Sequence, residues 1–383
     1  MDKQPMFQII MPVFQNPNIL NLCLDSLIRS ITMPTHLIMI DDGSPVETQT
    51  VIARFTEANS PLLRLMIRHH DSSQGCPRSI NEGLSFTEVE GYTVFVDSDV
   101  IFPFGWQEKV HTQFQDDPTV GGIGGVLLYP QTGGIQNCGI SYQNYLACHV
   151  FLNNDPRCLD GMGCFPVQAT VFAFFAARSE LVKRVGLLDT GFFNGYEDVD
   201  FQMRLRRLGY QIKINPQIVL YHWEKSNGIH RVFNRKQNLG RFWSRNGDII
   251  HNDFLTYLLP QVRRAANRKI SYIGIDMSEA RNNAEEIWVS LQRELSIKQI
   301  KNISSGCSAA MKLWLPELLS SDFFTIRSPL IFLCDNFIQL TENRYWFGQR
   351  LQYCRDDLVI DLYANVLPAH DLEDCCWPGS KIR

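Results

Sequence analysis

Long apolar runs are missing from this chain of 383 residues. No stretch approaches the ~18–20 apolar residues that a membrane-spanning helix requires. Phe172–Ala177 is apolar but short, and reads as a buried strand. A charge excess is missing too: 36 Lys and Arg against 40 Asp and Glu give a formal net charge of −4. That argues against a general nucleic-acid binder, a class with a basic excess. The 11 cysteines include no CxxC pair, so nothing supports a zinc site. Met1-Asp2-Lys3-Gln4-Pro5 runs straight into an apolar strand, without the charged and apolar regions of a signal peptide. The cysteines therefore read as reduced thiols, mostly small buried apolar side chains, and the expected location is cytoplasmic. What remains is an ordinary globular composition, 45% hydrophobic and 20% charged, long enough for one large or two smaller α/β domains.

The first half alternates apolar strand-like runs with helical periodicity. Strands are expected at Phe7–Val13, His36–Ile40, Leu63–Ile67 and Tyr92–Val96, and a helix at Leu20–Ile31. This alternation implies parallel βαβ units. Further on, Val120–Pro130 reads as strand and turn, Cys138–Phe165 as loop-rich, and Val167–Ala177 as one long strand. Helices are expected at Glu180–Val185, Asp198–Leu208 and Phe233–Arg245, with a strand at Ile218–His222 between the last two. From about 266 the character changes to a second, smaller α/β region. It has strands at Lys269–Ile275, Pro329–Cys334 and Leu358–Tyr363, a helix at Ser278–Leu295 and mixed structure in Ile300–Leu319. The expected division is therefore 1–265 and 266–383.

Acidic clusters follow two of the early strands: Asp41-Asp42-Gly43-Ser44 and Asp97-Ser98-Asp99. In parallel α/β sheets ligands gather at these carboxyl ends. Two carboxylates at i and i+2 can meet one hard divalent cation such as Mg²⁺ or Mn²⁺. A lone Asp-x-Asp is weak, because strands often end in Asp for turn chemistry. A second acidic group, Glu197-Asp198-Val199-Asp200, opens a helix; acids there suit the helix dipole, but three in four positions exceed what a cap needs. Tyr221-His222-Trp223 ends a later strand and offers a third ligand.

In order and spacing these motifs resemble the family-2 glycosyltransferases. Ile9-Ile10-Met11-Pro12-Val13-Phe14 and Ile40-Asp41-Asp42-Gly43-Ser44 are similar to the donor-side signature. The acceptor-side signature is resembled by Val185-Gly186-Leu187-Leu188-Asp189, Phe192 to Phe201, and Arg204 to Tyr210. The resemblance spans about residues 6–245, and the subgroup is that of bacterial rhamnosyl- and galactofuranosyl-transferases. It implies a GT-A fold, a Rossmann-like mixed sheet flanked by helices, and inverting, metal-dependent transfer of a sugar from a nucleotide-sugar. It places Pro12, Phe14, Asp41 and Asp42 at the nucleotide, and Gly75, Arg78 and Asn81 near the donor. Asp97 and Ser98 would lie at the ribose or metal, with Asp99 and His222 as metal ligands. Asp198 is implied as the catalytic base and Glu197 as its orienting neighbour. A UDP- or dTDP-sugar donor, a glycan or lipid-linked acceptor, and Mn²⁺ or Mg²⁺ follow from the same resemblance, as does a role in polysaccharide or glycoconjugate synthesis.

Tyr196, Trp223 and Trp106 are candidates for stacking on sugar faces. Arg204, Arg206 and Arg207 read as a solvated face. Arg231, Arg235, Lys236 and Arg241, interleaved with Phe233, Phe242 and Trp243, offer either surface charge or a contact for a diphosphate or an anionic membrane surface. A nucleotidyltransferase would place a Gly-rich phosphate loop near the first strand, and Met11–Asn18 contains no Gly. A non-catalytic carbohydrate- or nucleotide-binding relative would be expected to lose the acids, yet Asp97, Asp99, Asp198 and His222 are all present. The aromatic cluster Tyr345-Trp346-Phe347 suits either a docking surface or core.

Overall fold

The structure, a computed structural model, describes residues 6–56, 60–144, 146–192, 195–223, 228–279, 281–302, 327–341 and 344–374. Contacts divide the chain into two compact units: residues 1–130, 134–140 and 156–250 in the first, and 131–133, 141–155 and 251–383 in the second.

The first unit opens as the hydrophobic pattern predicts. β1 (Phe7–Val13), α1 (Pro17–Ser30), β2 (Thr35–Asp41), α2 (Val46–Phe55), β3 (Leu63–His69), α3 (Cys76–Ser85) and β4 (Tyr92–Val96) alternate along the chain. Strands β1, β2, β3 and β4 pair in parallel, in the order β4-β1-β2-β3. β2 and β4 are buried along their whole length, as continuous apolar strands covered on both faces must be. Pro17 sits at the first turn of α1 and Pro77 at that of α3, where a missing N–H costs nothing.

The rest of the sheet is mixed. β5 (Val100–Ile101), α4 (Trp106–Asp116), β6 (Val120–Leu128) and β7 (Ile135–Asn137) come first. The hairpin β8 (Ile140–Gln143) and β9 (Leu146–His149) interrupts them. Then follow β10 (Phe165–Val167), β11 (Phe174–Arg178), α5 (Ser179–Val185), α6 (Glu197–Arg207), β12 (Gln211–His222) and α7 (Gly228–Asn246). The main path runs β10-β12-β6-β11-β4-β1-β2-β3, with β5 on β12 and β7 on β6. The run expected as one strand over 167–177 is broken: Val167 ends β10, 168–173 lie outside the named strands, β11 begins at Phe174, and β12 and β6 stand between β10 and β11. Thr170 leaves the sheet path by bonding Gln202 through its N–H (2.9 Å) and Asn137 through its hydroxyl (2.9 Å).

Trp106 lies wholly inside the core on α4, against Phe7, Phe102 and Phe174, with its indole N–H donated to Ser30 Oγ at 3.1 Å. It is a packing residue rather than a sugar platform. β6 reads Val-Gly-Gly-Ile-Gly-Gly-Val-Leu-Leu and is buried throughout. A Cβ on Gly122 would stand 2.3 Å from the Phe175 ring, and one on Gly125 2.6 Å from Leu220 Cδ1. These glycines let the neighbouring side chains close over the strand.

The second unit contains α8 (Phe254–Ala265), β13 (Ser271–Asp276), α9 (Arg281–Glu294), β14 (Ser296–Asn302), β15 (Leu330–Cys334), β16 (Leu358–Asp361) and β17 (Val366–Pro368). Its sheet order is β14-β13-β15-β16-β17, parallel except for the last pair. The unit takes in the chain from His251, where α8 packs on β17 and α9, together with Gln131–Gly133 and Ser141–Asp155 from mid-chain. Ser278, expected to cap the helix, instead donates both its N–H (3.0 Å) and its hydroxyl (2.7 Å) to Asp276 Oδ1. Trp346 and Phe347 are core, packed on Phe332, while Tyr345 is exposed. Most of the segment expected at 300–319 lies outside the described residues. The eight described cysteines form no disulfide among the described residues. No helix among the described residues is long and apolar enough to cross a membrane.

Candidate functional site

β4 delivers Asp97 to the carboxyl edge of the sheet, beside the point where the strand order reverses between β4 and β1. That edge is where open α/β sheets hold ligands. The chain then turns through Ser98 into β5, which pairs antiparallel with the end of β12, His222 opposite Val100. The Trp223 N–H bonds the Asp99 carbonyl at 3.1 Å. Main-chain pairing therefore fixes the acidic turn against the histidine. His222 Nε2 lies 3.2 Å from Asp99 Oδ1 and 3.6 Å from Asp97 Oδ2. One ligand atom from each of the three lies within 4.8 Å of the others. Two carboxylates and an imidazole facing one point form a fitting donor set for a divalent cation.

His222 is buried, and its other ring nitrogen meets Gln136 of β7: Nδ1 is 2.5 Å from Gln136 Oε1, while Gln136 Nε2 donates to the His222 carbonyl at 3.2 Å. Gln136 was not legible in the sequence, where nothing marks it out from the surrounding Gly and Asn.

The second acidic group opens α6. Tyr196, in the left-handed region at φ 74°, turns the chain into the helix and packs on Phe242, ring centroids 5.2 Å apart. Glu197 is buried and accepts the Gly195 N–H at 2.6 Å. Burial, reinforced by the charges of Asp198 and Asp97, pushes its carboxyl up to about 7. Asp198 is half-buried beside it and accepts the Val199 N–H at 2.8 Å.

Cys76, at the start of α3, links the two groups. Burial raises its thiol pKa, and the charges of Glu197, Asp97, Asp198 and Asp42 push it further in the same direction.

Asp41 and Asp42, expected at the nucleotide, are buried. Asp41 accepts from the Ser44 N–H (3.0 Å) and faces His69 Nδ1 (2.8 Å). Asp42 accepts from Gln74 N–H (2.8 Å), Ser73 hydroxyl (2.7 Å) and Gly75 N–H (3.0 Å), and meets His70 Nδ1 at 2.7 Å. Four partners match the lone-pair capacity of a carboxylate. Burial pushes the Asp42 carboxyl up, but these bonds outweigh it and hold its pKa below the ordinary value. The same desolvation lowers His70, and its contacts with Glu82 (2.6 Å) and Asp42 outweigh it, so its pKa is raised. Gly43, at φ 75°, lets the loop close in: a Cβ there would lie 2.7 Å from the Ser73 nitrogen.

The remaining candidates scatter around this edge. Pro12 is half-buried in β1, Phe14 is 43% exposed just beyond it, and Ser98 is half-buried. Arg78 is exposed on α3. Asn81 clamps another segment, accepting the Leu188 N–H (2.8 Å) and donating to the Leu188 carbonyl (2.9 Å). Trp223 is half-buried next to His222.

Of the basic helix residues expected as a solvated face, Arg207 is exposed, while Arg204 and Arg206 are half-buried. Arg204 pairs with the buried Asp200 (3.2 Å) and donates to the Val185 carbonyl (2.9 Å), and Arg207 pairs with Asp248. Arg241 and Arg245 both engage Asp189, at 2.8 and 2.6 Å. The side chains of Arg231, Phe233 and Arg235 lie outside the described residues.

Residues 8–152 match the family model described as glycosyl transferase family 2. The uncharacterized glycosyltransferase YibD of Escherichia coli strain K12 is 25% identical over 126 residues, which is 33% of this chain and 35% of that protein. The chain thus spans about a third of that curated relative's length. Among solved structures, GalNAc-T7 with UDP, GalNAc and Mn²⁺ aligns at a TM-score of 0.51 and 13% identity, covering 69% of this chain and 52% of that one. A mannosyltransferase from Pyrobaculum calidifontis in complex with GDP-Man and Mn²⁺ aligns at 0.48 and 17% identity, covering 66% of each chain. The α/β fold is that of the GT-A glycosyltransferases.

Proposed function

We propose that this chain, whose residues 8–152 match the family-2 glycosyltransferase domain, moves a glycosyl group from a nucleoside-diphosphate sugar to an acceptor hydroxyl with inversion. The observation that carries the reading is the convergence of Asp97, Asp99 and His222 at the carboxyl edge of the sheet. These three would hold Mn²⁺ or Mg²⁺, which when bound would offset the charge developing on the leaving diphosphate. The acceptor oxygen bonds the anomeric carbon as the bond from that carbon to the diphosphate oxygen breaks. The hydroxyl proton passes to Asp198, whose place at the mouth of α6 suits a base; such a transfer is worth about 10²–10⁴-fold.

Glu197, whose carboxyl is pushed up to about 7, is partly protonated near neutrality and so places less than a full second charge beside Asp198. Asp41 and Asp42 hold the donor-side loop, with Pro12, Phe14, Arg78, Asn81 and Ser98 along the nucleotide. Tyr196 and Trp223 flank the acceptor. The donor is taken to be a UDP- or dTDP-sugar and the acceptor a glycan or lipid-linked saccharide, in polysaccharide or glycoconjugate synthesis. The work is assigned to the cytoplasm, with peripheral membrane contact when the acceptor is lipid-linked.

The test is a panel of UDP-, dTDP- and GDP-sugars with Mn²⁺ or Mg²⁺, on the wild-type chain beside Asp99→Ala. Metal-dependent binding of one nucleotide class that the variant loses supports the reading, and NMR of the product's anomeric proton reads the stereochemistry. Nucleotide binding under no metal condition overturns it in favour of a non-catalytic relative.

A further inference from the structure

β7 carries a defect in its pairing with β6. Leu127 stands opposite Asn137 and the next residue, Leu128, opposite Ile135, so the register slips and Gln136 is the extra residue. Such bulges re-aim a side chain and are common beside active sites. Here the bulge coincides with a side chain only 3% exposed that reaches His222 with both ends of its amide.

The two contacts determine each other. The His222 carbonyl can only accept, so the group 3.2 Å from it is the Gln136 NH₂. The opposite end is then Oε1, also only an acceptor, and Nδ1, 2.5 Å away, must carry the proton. A neutral imidazole with its proton on Nδ1 has its lone pair on Nε2, the nitrogen facing Asp99 and Asp97.

We propose that Gln136 is a positioning residue: it fixes His222 in the Nδ1–H tautomer and thereby sets the cation affinity of the Asp97–Asp99–His222 centre. This rests on the cation reading given above. The physical reason is that a ligating imidazole whose distal N–H is held by an acceptor is locked in ring angle and tautomer, and loss of that partner typically costs about 10–100-fold in metal affinity. A tightly packed residue with no such role would change stability when replaced, without changing which ring nitrogen holds the proton.

The experiment measures Mn²⁺ affinity by titration with EPR detection, without donor or acceptor. It compares the wild type, Gln136→Leu, Gln136→Glu and His222→Ala, and reads the His222 tautomer by long-range ¹H–¹⁵N NMR without metal. Gln136→Leu should weaken Mn²⁺ binding about 10–100-fold and shift His222 toward the Nε2–H form. Gln136→Glu keeps an acceptor for Nδ1–H and should bind Mn²⁺ more tightly than Gln136→Leu, which separates a lost hydrogen bond from a damaged fold. Equal affinity in wild type and Gln136→Leu, or an unchanged tautomer, overturns the inference while leaving the cation centre standing. Absence of Mn²⁺ binding in the wild type overturns both.

Discussion

At the end of β4, Asp97 and Asp99 face each other and His222, with side chains 42% and 17% exposed. At the end of β16, in the second unit, Asp361 is wholly buried and turns back on its own chain. It accepts from the N–H groups of Tyr363 (2.9 Å), Asn365 (3.1 Å) and Phe337 (3.1 Å), and from the Asn365 amide (2.9 Å). Both aspartate groups stand at the end of a short apolar strand that pairs in parallel on one side and antiparallel on the other. The difference lies in what the oxygens meet. A carboxylate facing N–H donors builds a turn; one grouped with another acid and an imidazole forms a donor set that would fit a divalent cation. Asp42 shows that the first use occurs in the first unit as well.

The comparison breaks most sharply at Asp361. Asp361→Ala strands several buried N–H donors and should destabilise the second unit by roughly 3–5 kcal/mol, read by urea melts. Asp99→Ala should do the reverse: thermal stability holds, because a like-charge contact is relieved, while metal-dependent transfer falls by about 10²–10³-fold. If Asp99→Ala unfolds the chain instead, the two carboxylates play the same part and the contrast fails.

Glu197 sharpens the contrast through pH. Its folded pKa of about 7 exceeds the ordinary 4.5, so the folded state binds the extra proton between these values. Stability therefore falls as pH rises through that window. Glu197→Gln should remove the slope and leave the variant about 1–3 kcal/mol more stable than wild type at pH 8, with near equality at pH 4.5. Melts at the two pH values check this. The smallest effect belongs to Asn81. Asn81→Ala loses two bonds to Leu188 and should cost about 1–2 kcal/mol of stability, read by thermal melts.

The alternation of β1 to β4 with α1 to α3 was legible because each element is decided by its own hydrophobic period. The acidic turn and His222 were legible as residue types at strand ends. What was hidden depends on register and on contacts distant in sequence. The run from 167 to 177 is mostly apolar, and that does not reveal that its first residue ends β10 while its last four belong to β11, strands separated by two others. Gln136 gains its place from a one-residue slip, which leaves no trace in composition. Asp42 matched a donor-side motif, yet its partners Ser73, Gln74 and Gly75 lie some thirty residues on and became visible only in the fold.

The glycines of β6 carry a consequence for how this molecule can change. Strand β6 lies between β11 and β12, and the side chains of Phe175, Ile214 and Leu220 occupy the space where its own would stand. A saturation scan should show the strand as an intolerant stripe, with even Gly122→Ala or Gly125→Ala poorly accepted, while exposed positions such as Phe14 and Arg78 vary freely in abundance assays. Substrate preference in this scaffold can therefore drift at the rim without disturbing its spine, and attempts to redesign it have their room in the loops rather than in the sheet.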